Sequence, residues 1–418
     1  MNELLLIALV LPFLGRHRKT ATVFAFIFAI ITSLRSNYLI AVFFFILSLV
    51  IISISHWKDA KYPLFFLAMF DLIGLLNSQN FLELFLYFEL AIFASYFLIF
   101  DRKNFMPLIR YFIVNSIGSA LMIFAIALSF MSTGSLSHLS PTALILFVLG
   151  LLIKLGIAPF QDWLVEIYKF VPLSMALFFS TVLTEIAPLA LLIVVTVRVP
   201  SLEIFAMFSM FLASVMAFSE KNMIRMLALI DASNLAYDVL AIAIATPASR
   251  SAALFMMFSH VIAMCLVFTV LIISKSKSID KLRAPKGLVL PFYSAFFALS
   301  GLPPFQLFPS KIMLFTSVFD VSHPVSYFLL FNMGLSALVS LRILASIRGT
   351  RNVGPIDPKL KILVWGLLIT SVVFGLFPRI FFEGVLSQMQ FLGGPIYVIQ
   401  KNTIPLLSAI GQTISGIL

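Results

Sequence analysis

Residues 151–160 read LLIKLGIAPF and lie inside a long apolar run that begins near Ala143. Lys154 lies in the middle of that run, and Gly156 and Pro159 follow it closely. A charged side chain at the centre of a bilayer costs about 2.5–3.5 kcal/mol on insertion scales, so it marks a functional site by default. Proline removes a backbone donor and clashes with the preceding turn. The stretch therefore predicts a broken membrane helix that carries a buried, functional lysine.

The composition of the whole chain points to an integral membrane protein. Of its 418 residues, 61% are hydrophobic and 11% are charged, whereas soluble domains have about 25% charged residues. The apolar stretches are long and lack the short alternating pattern of membrane barrels, so helices are predicted. Cys265 is the only cysteine, which excludes a disulfide framework and a cysteine-ligated metal or iron–sulfur site in this chain.

Apolar runs separated by turn residues and charges predict about fourteen membrane-spanning segments. The predicted segments are 3–15, 20–35, 38–56, 63–77, 81–100, 106–131, 142–170, 173–197, 201–218, 223–246, 251–273, 287–320, 325–346 and 360–378. Segments 142–170 and 287–320 are too long for one simple helix, and they contain GIAPF at 156–160 and SGLPPF at 300–305. Both are predicted to be broken helices. The apolar but irregular piece 380–418 is predicted to lie at the interface or to form a partial span.

The basic residues predict how the chain is oriented in the membrane. They concentrate in alternate predicted loops, at 16–19, 58–61, 102–103, 169, 221–225, 275–286 and 348–361. The other loops hold only Arg35, Arg198 and Arg250, with Arg379 and Lys401 in the C-terminal part. Since Lys and Arg favour the cytoplasmic side, this asymmetry predicts that both termini face the outside. It also explains the formal charge of +11 without a nucleic-acid partner.

Five ionisable residues lie inside five different predicted spans. They are Glu89, Lys154, Glu185, His260 and Lys311. Buried acids and bases in membrane segments mark ion paths and proton relays. A charge that moves at one such site changes the proton occupancy of the next, because the two interact strongly in apolar surroundings. The set predicts ion translocation along a buried Glu/Lys/His axis.

Each of these residues also has a purely structural explanation. Glu89 and Lys154 could form a buried pair without a transport function, and Lys311 could extend to a membrane interface. His260 is explained equally well as a hydrogen-bonded packing residue, and Glu185 could pair with a neighbouring side chain. The remaining acids of the spans are interpreted as near-interface or polar-network residues: Asp71, Asp231 and Asp238.

Four stretches resemble the antiporter-like membrane subunits shared by respiratory complex I, membrane-bound hydrogenase-type complexes and Mrp-type cation/proton antiporters. They are YFELAIFASYFLI around Glu89, LLIKLGIAPFQDWLVEIYKFVPLSMALF around Lys154, NMIRMLALIDASNLAYDVL, and SGLPPFQLFPSKIMLF around Lys311. They occur in the family's order over roughly residues 60–345. Each motif is weak alone, but four in the correct order make the resemblance specific.

The resemblance implies an all-α integral membrane fold with fourteen transmembrane helices. Two inverted five-helix repeats, each containing a broken helix, are expected at 62–197 and 201–346. The last span and the tail then occupy 347–418, and the whole of 1–418 forms one membrane domain. The compact length is similar to that of prokaryotic members, which places the protein in a prokaryotic cell membrane.

The resemblance also assigns roles to residues. It makes Glu89 and Lys154 a coupled ion pair and Lys311 an exit-side site. Thr184 and Met264 depart from the pattern, because they lie where many members have lysine. The central relay would then use the acid Glu185 with His260, or be shifted, or be broken.

Three functions follow as alternatives. The first is a proton- or sodium-translocating subunit of a redox-driven complex (complex I-like, hydrogenase-like or sulfur-reducing), in which this chain is non-catalytic. The second is a subunit of an Mrp-type secondary antiporter, and the third is a non-conducting structural subunit. The first expects further antiporter-like membrane subunits, peripheral redox subunits and lipid as partners. No cofactor is expected in this chain, and iron–sulfur clusters are expected in partner subunits.

Overall fold

The computed structural model describes residues 50–52, 54, 61–100, 105–276 and 278–380. The predicted segments 3–15 and 20–35, most of 38–56, and the C-terminal piece beyond Ile380 lie outside the described residues. Within the described residues the chain is almost entirely helical. The exception to the all-α prediction is one pair of two-residue strands.

The helices follow the predicted segments closely. They are α1 (Lys61–Leu76), α2 (Phe81–Ile99), α3 (Phe105–Thr133), α4 (Pro141–Leu155), α5 (Asp162–Phe170), α6 (Leu173–Val194), α7 (Pro200–Ser219), α8 (Met223–Ile244), α9 (Pro247–Ser274), α10 (Val289–Ser300), α11 (Leu307–Phe319), α12 (His323–Ser346) and α13 (Pro358–Leu376). The largest error is at the start of α9, which begins at Pro247 rather than at residue 251. Thr246 caps this helix and accepts a hydrogen bond from the Ser249 backbone N at 3.1 Å, and a proline follows at the first helical position.

Eight helices of the described part are long and apolar enough to cross a membrane: α2, α3, α6, α7, α8, α9, α12 and α13. The apolar helices α4, α10 and α11 are shorter, because they are halves of the two broken segments. The chain is therefore a multi-pass membrane protein.

The described helices divide into a central and a peripheral group. In the most apolar 18-residue stretch of α6 and of α8, 94% of the residues are buried inside the chain, and in that of α9 83% are buried. In α12 and α13 the share is only 28%, and large side chains such as Phe331 and Ile362 are exposed there. An exposed apolar face of this size is a surface for lipid or for neighbouring membrane subunits. Glu185, Asp231 and His260 lie where α6, α8 and α9 meet.

The two breaks repeat the same local structure, as the sequence predicts. Residues 156–161 read GIAPFQ and residues 301–306 read GLPPFQ. Gly156 ends α4 at φ 67°, and Gly301 ends α10 at φ 73°, a left-handed conformation that glycine adopts without a steric penalty. Each break then contains a cis X-Pro bond and leads through a glutamine into the second helix, α5 or α11.

Helix α6 is continuous but contains a π-helical turn at Phe179–Leu183. Pro188 lies one turn further on, where its missing N–H removes a hydrogen bond to the preceding turn. Such π-turns widen a helix locally and occur frequently at functional sites. Here the turn immediately precedes Thr184 and Glu185, and no local sequence pattern predicts it.

The strands β1 (Ala284–Pro285) and β2 (Thr350–Arg351) form a parallel pair that joins two of the basic loops. Ala284 N donates to Gly349 O at 3.1 Å, and Lys286 N donates to Arg351 O at 2.9 Å. These bonds tie the loop after α9 to the loop after α12.

Candidate functional site

The first cluster of buried polar residues joins α2, α3 and α4. Lys154 Nζ donates to Glu89 Oε1 at 2.7 Å and to Ser119 Oγ at 2.8 Å. The Ser119 hydroxyl is also 2.8 Å from Glu89 Oε2, so it bridges the two charged groups. The side chain of Lys154 is 0% exposed and that of Glu89 is 27% exposed. The glutamate is therefore the member of the pair that reaches the surface of the described chain.

Helix packing explains why the lysine can reach the glutamate. Gly118 of α3 and Gly150 of α4 face each other: a Cβ atom at Gly150 would lie 2.7 Å from the backbone oxygen of Gly118. The missing side chains let the two helices approach closely, as small residues do in membrane packing. Lys154 lies in the last turn of α4, where the helix dipole favours a cation. Its ammonium also lies over the Phe88 ring, 5.0 Å from the ring centre.

The second cluster is a chain of four side chains at the centre of the described fold. His260 Nδ1 is 3.0 Å from Glu185 Oε1, and His260 Nε2 is 3.3 Å from Asp231 Oδ1. The second contact has the distance of an ion pair but lacks the geometry of a hydrogen bond. Tyr168 donates its hydroxyl to the other oxygen of Asp231. An imidazole between two carboxylates can take a proton at one nitrogen and release it at the other.

The third cluster surrounds Lys311 on α11. Its Nζ is 3.4 Å from the backbone oxygen of Ser300 and 4.7 Å from the centre of the Tyr237 ring. Asn332 donates to the Tyr237 hydroxyl at 2.9 Å, and this bond fixes the ring beneath the ammonium. Asp238, the next residue on α8, is buried as well and has no hydrogen-bond partner among the described residues. The lysine is 1% exposed, so within the described chain it does not extend to an interface.

A small polar cavity adjoins this third cluster. Six of its lining residues carry hydroxyl or amide groups: Ser214, Ser233, Asn234, Ser300, Ser336 and Ser340. Because Ser300 also accepts the lysine's hydrogen bond, the cavity begins next to Lys311. Water can occupy a cavity only where polar partners line it, as they do here.

The five residues predicted from the sequence are brought together in part. Glu89 meets Lys154 and Glu185 meets His260, whereas Lys311 lies in a cluster of its own. Within the described residues no hydrogen bond joins one cluster to another. The same part of the chain holds no group of three His, Cys, Asp or Glu side chains arranged to bind a metal ion.

Ser119 and Tyr168 are members of these clusters that the sequence analysis does not identify. Ser119 carries no signal in the sequence, because serines are common in membrane helices. For Asp231 and Asp238 the sequence predicts a near-interface position or a place in a polar network, and both are buried, Asp231 beside His260. The signal for them was the polar run IDASNLAYD inside an apolar segment of α8.

The sequence profile of the family described as "NADH:quinone oxidoreductase/Mrp antiporter, TM" matches residues 78–336, well over half of the chain. The chain belongs to this family. All three clusters lie inside the matched region. The resemblance inferred from the four motifs is thereby confirmed.

Relatives within the family are distant but cover most of the chain. The chain is 26% identical to NADH-quinone oxidoreductase subunit N of Ruthia magnifica in an alignment of 382 positions that covers 80% of this chain and 78% of that protein. It is 24% identical to subunit N of Rickettsia bellii over 380 residues, covering 80% and 82% of the two chains.

Solved structures share the fold across almost the whole chain. A subunit of the membrane-bound sulfane sulfur reductase, an archaeal respiratory complex, superposes with a TM-score of 0.81 at 19% identity, covering 94% of this chain and 97% of the other. A chain of Thermus thermophilus respiratory complex I gives 0.77 at 23% identity, with 90% and 95% covered. A chain of the Mrp complex from Dietzia sp. gives 0.75 at 18% identity, with 91% of both covered.

Proposed function

We propose that this chain is a proton- or sodium-translocating, antiporter-like subunit of a multi-subunit, redox-driven membrane complex of the complex I type. The observation that carries the proposal is the buried ion pair between Lys154 and Glu89. Removing two charges from water costs several kcal/mol each, so such a pair is poor evidence for stability. In a membrane segment it is much better explained by ion transport.

The transport step follows from the electrostatics of the pair. Glu89 and Ser119 favour the charged form of Lys154, because both accept a hydrogen bond from its ammonium. If a positive charge arrives on the far side of the lysine, it repels the ammonium and favours release of its proton. The glutamate is then left without its counter-ion and attracts the next cation. Charge would pass in this way from Glu89 and Lys154 to Glu185 and His260, and leave through Lys311.

The complete chain would contain fourteen transmembrane helices in one domain, with inverted repeats at 62–197 and 201–346 and a last span and tail at 347–418. The matching breaks GIAPFQ and GLPPFQ, one in each half, support the repeat. Paired interrupted helices are the usual sign of such repeats in transporters. The uneven distribution of basic loops supports an orientation with both termini outside. The bacterial relatives support the cell membrane of a prokaryote.

The partners would be further antiporter-like membrane subunits, peripheral redox subunits that contain iron–sulfur clusters, and lipid. The names of the relatives support a redox complex, since they are subunits of NADH-quinone oxidoreductases. A chain of an Mrp complex has the same fold, and an Mrp-type secondary antiporter is the alternative function, one that would have no redox partner. Purification of the complex through a tag on this chain separates the two functions: iron–sulfur or flavin subunits co-elute only from a redox complex.

The decisive experiment measures ion uptake by proteoliposomes that contain the purified complex. Lys154→Ala and Glu89→Gln are expected to abolish uptake while the complex still assembles and transfers electrons. Arg348→Ala, in an exposed loop remote from the clusters, is the control and should pump normally. If both Lys154→Ala and Glu89→Gln pump like the wild type, the chain is a structural subunit.

A further inference from the structure

Helix α8 carries two buried aspartates whose positions are not explained by packing. Asp231 and Asp238 are 0% and 1% exposed. They are seven residues apart, which is close to two helical turns and places both on one face, about 10 Å apart along the axis. Aspartate is among the residues that are almost never fully buried without a partner.

One end of this pair belongs to the second cluster. Asp231 Oδ1 lies 3.3 Å from His260 Nε2, on the side of the imidazole opposite to Glu185. Its other oxygen accepts the hydroxyl of Tyr168 from α5. Asp231 is therefore the next proton acceptor beyond the histidine.

The other end of the pair belongs to the third cluster. Asp238 follows Tyr237, whose ring lies under the Lys311 ammonium. The buried carboxyl of Asp238 is therefore one residue from the ring that contacts Lys311, without a hydrogen bond among the described residues. The two aspartates lie on one face of α8 between the second and the third cluster.

Their oxygens are short of hydrogen-bond donors. Among the described residues, no donor reaches either oxygen of Asp238, nor Oδ1 of Asp231 with hydrogen-bond geometry. A buried carboxylate without donors is costly, and a bound proton or a bridging water relieves that cost.

We propose that Asp231 and Asp238 carry protons between His260 and Lys311, so that α8 provides the middle section of the ion path. The proposal rests on the proposed function above. In one direction, imidazolium His260 releases the proton on Nε2 to Asp231 Oδ1 and becomes neutral. A chain of waters passes the proton over the distance of about 10 Å from the acid form of Asp231 to the Asp238 carboxylate. Asp238 then passes it through a water to the neutral amine of Lys311, which becomes an ammonium and releases the proton towards the serine-lined cavity.

The test replaces each aspartate by its isosteric amide, which keeps its shape but cannot carry a proton. Asp238→Asn is the more informative variant, because no described hydrogen bond is lost and assembly should be retained. In proteoliposomes, Asp231→Asn and Asp238→Asn are each expected to lower ion uptake per electron transferred by at least about tenfold. Removal of a positioned proton-transfer group typically costs about 10²–10⁴-fold in rate, so a tenfold loss is a cautious threshold. Asp238→Glu, which restores a titratable carboxyl, should recover part of the uptake.

Asp71→Asn is the matched control. Asp71 on α1 is also buried, at 1% exposure, and also lacks a hydrogen-bond partner among the described residues, but it belongs to none of the three clusters. Its amide variant is expected to pump normally. The proposal is overturned if Asp238→Asn pumps like the wild type, or if Asp238→Glu is no better than Asp238→Asn. Failure of Lys154→Ala to reduce uptake would instead overturn the proposed function itself.

Discussion

Lys154 passes so close to Gly118 that a Cβ atom at position 118 would lie 2.8 Å from Cγ of the lysine. The same Cβ atom would lie 2.9 Å from the backbone oxygen of Gly150. Because position 118 has no side chain, α3 can pack closely on α4. For the same reason the side chain of Lys154 can extend past α3 to Glu89.

Gly118→Ala is expected to destabilise the chain and to reduce ion uptake. The added methyl group overpacks the contact, which typically costs about 1–3 kcal/mol, and it pushes the lysine away from the glutamate. Thermal denaturation of the purified complex and uptake by proteoliposomes are the two measurements. Gly366→Ala on α13 is the control, because its Cβ atom would meet nothing within 4 Å. Equal behaviour of the two variants would show that the contact is not tight.

Ser119→Ala is expected to slow ion uptake about tenfold without preventing assembly. The hydroxyl contacts both charged partners, and a hydrogen bond to a charged group contributes about 1.5–3 kcal/mol. Ser119→Thr, which keeps the hydroxyl, should stay close to the wild type. The control is Ser95→Ala, which removes a buried hydroxyl of α2 that contacts Tyr111 instead of the ion pair. The bridging role is wrong if the two alanine variants pump equally well.

Comparison of Gly301→Ala with Gly134→Ala separates the cost of a left-handed backbone conformation from the displacement of Lys311. Alanine in the left-handed conformation costs about 1–2 kcal/mol, and Gly134 has a similar φ of 67°. At Gly301, however, the Cβ atom would lie 3.0 Å from Cδ of Lys311, whereas at Gly134 it would meet nothing within 4 Å. Both alanine variants should lose similar thermal stability, but only Gly301→Ala should lose ion uptake. Normal uptake by Gly301→Ala would mean that the lysine tolerates displacement.

The helices were predictable because each depends on a local pattern. The apolar run, the proline and the glycine of 151–160 were sufficient to predict that the segment breaks and where. The predicted start of α9 at residue 251 is wrong, because Thr246 caps the helix and Pro247 is its first residue. The π-turn before Glu185 depends on the packing of α6 at the centre of the fold, and no local pattern encodes it.

The candidate site was predictable only as a set of residue types. The pairing of Glu89 with Lys154 came from the family resemblance, and the structure places the two in contact. The contact between Glu185 and His260 joins residues 75 positions apart. The addition of Asp231 and Tyr168 depends on which faces of α8 and α5 meet, and a single sequence does not carry that information.

Two glutamines occupy the same position in the two breaks but have different surroundings. Gln306 Nε2 donates to the Ser259 backbone oxygen at 2.9 Å, and its Oε1 accepts the hydroxyl of Ser371 on α13. Gln306 thereby ties the second break to α9 and α13. Gln161 Nε2 lies 3.6 Å from Met216 Sδ, and its Oε1 has no donor among the described residues.

Gln306→Ala should consequently cost more stability than Gln161→Ala. Two buried hydrogen bonds at about 1 kcal/mol each are lost, together with the penalty of leaving Ser259 and Ser371 without their partner. Gln161→Ala removes only a weak contact to sulfur, so its midpoint of thermal denaturation should stay close to that of the wild type. Gln306→Glu keeps the acceptor for Ser371 but buries a carboxylate against the Ser259 backbone oxygen, so its midpoint should be no higher than that of Gln306→Ala. If both alanine variants denature at the same temperature, the hydrogen bonds of Gln306 do not hold the second break in place.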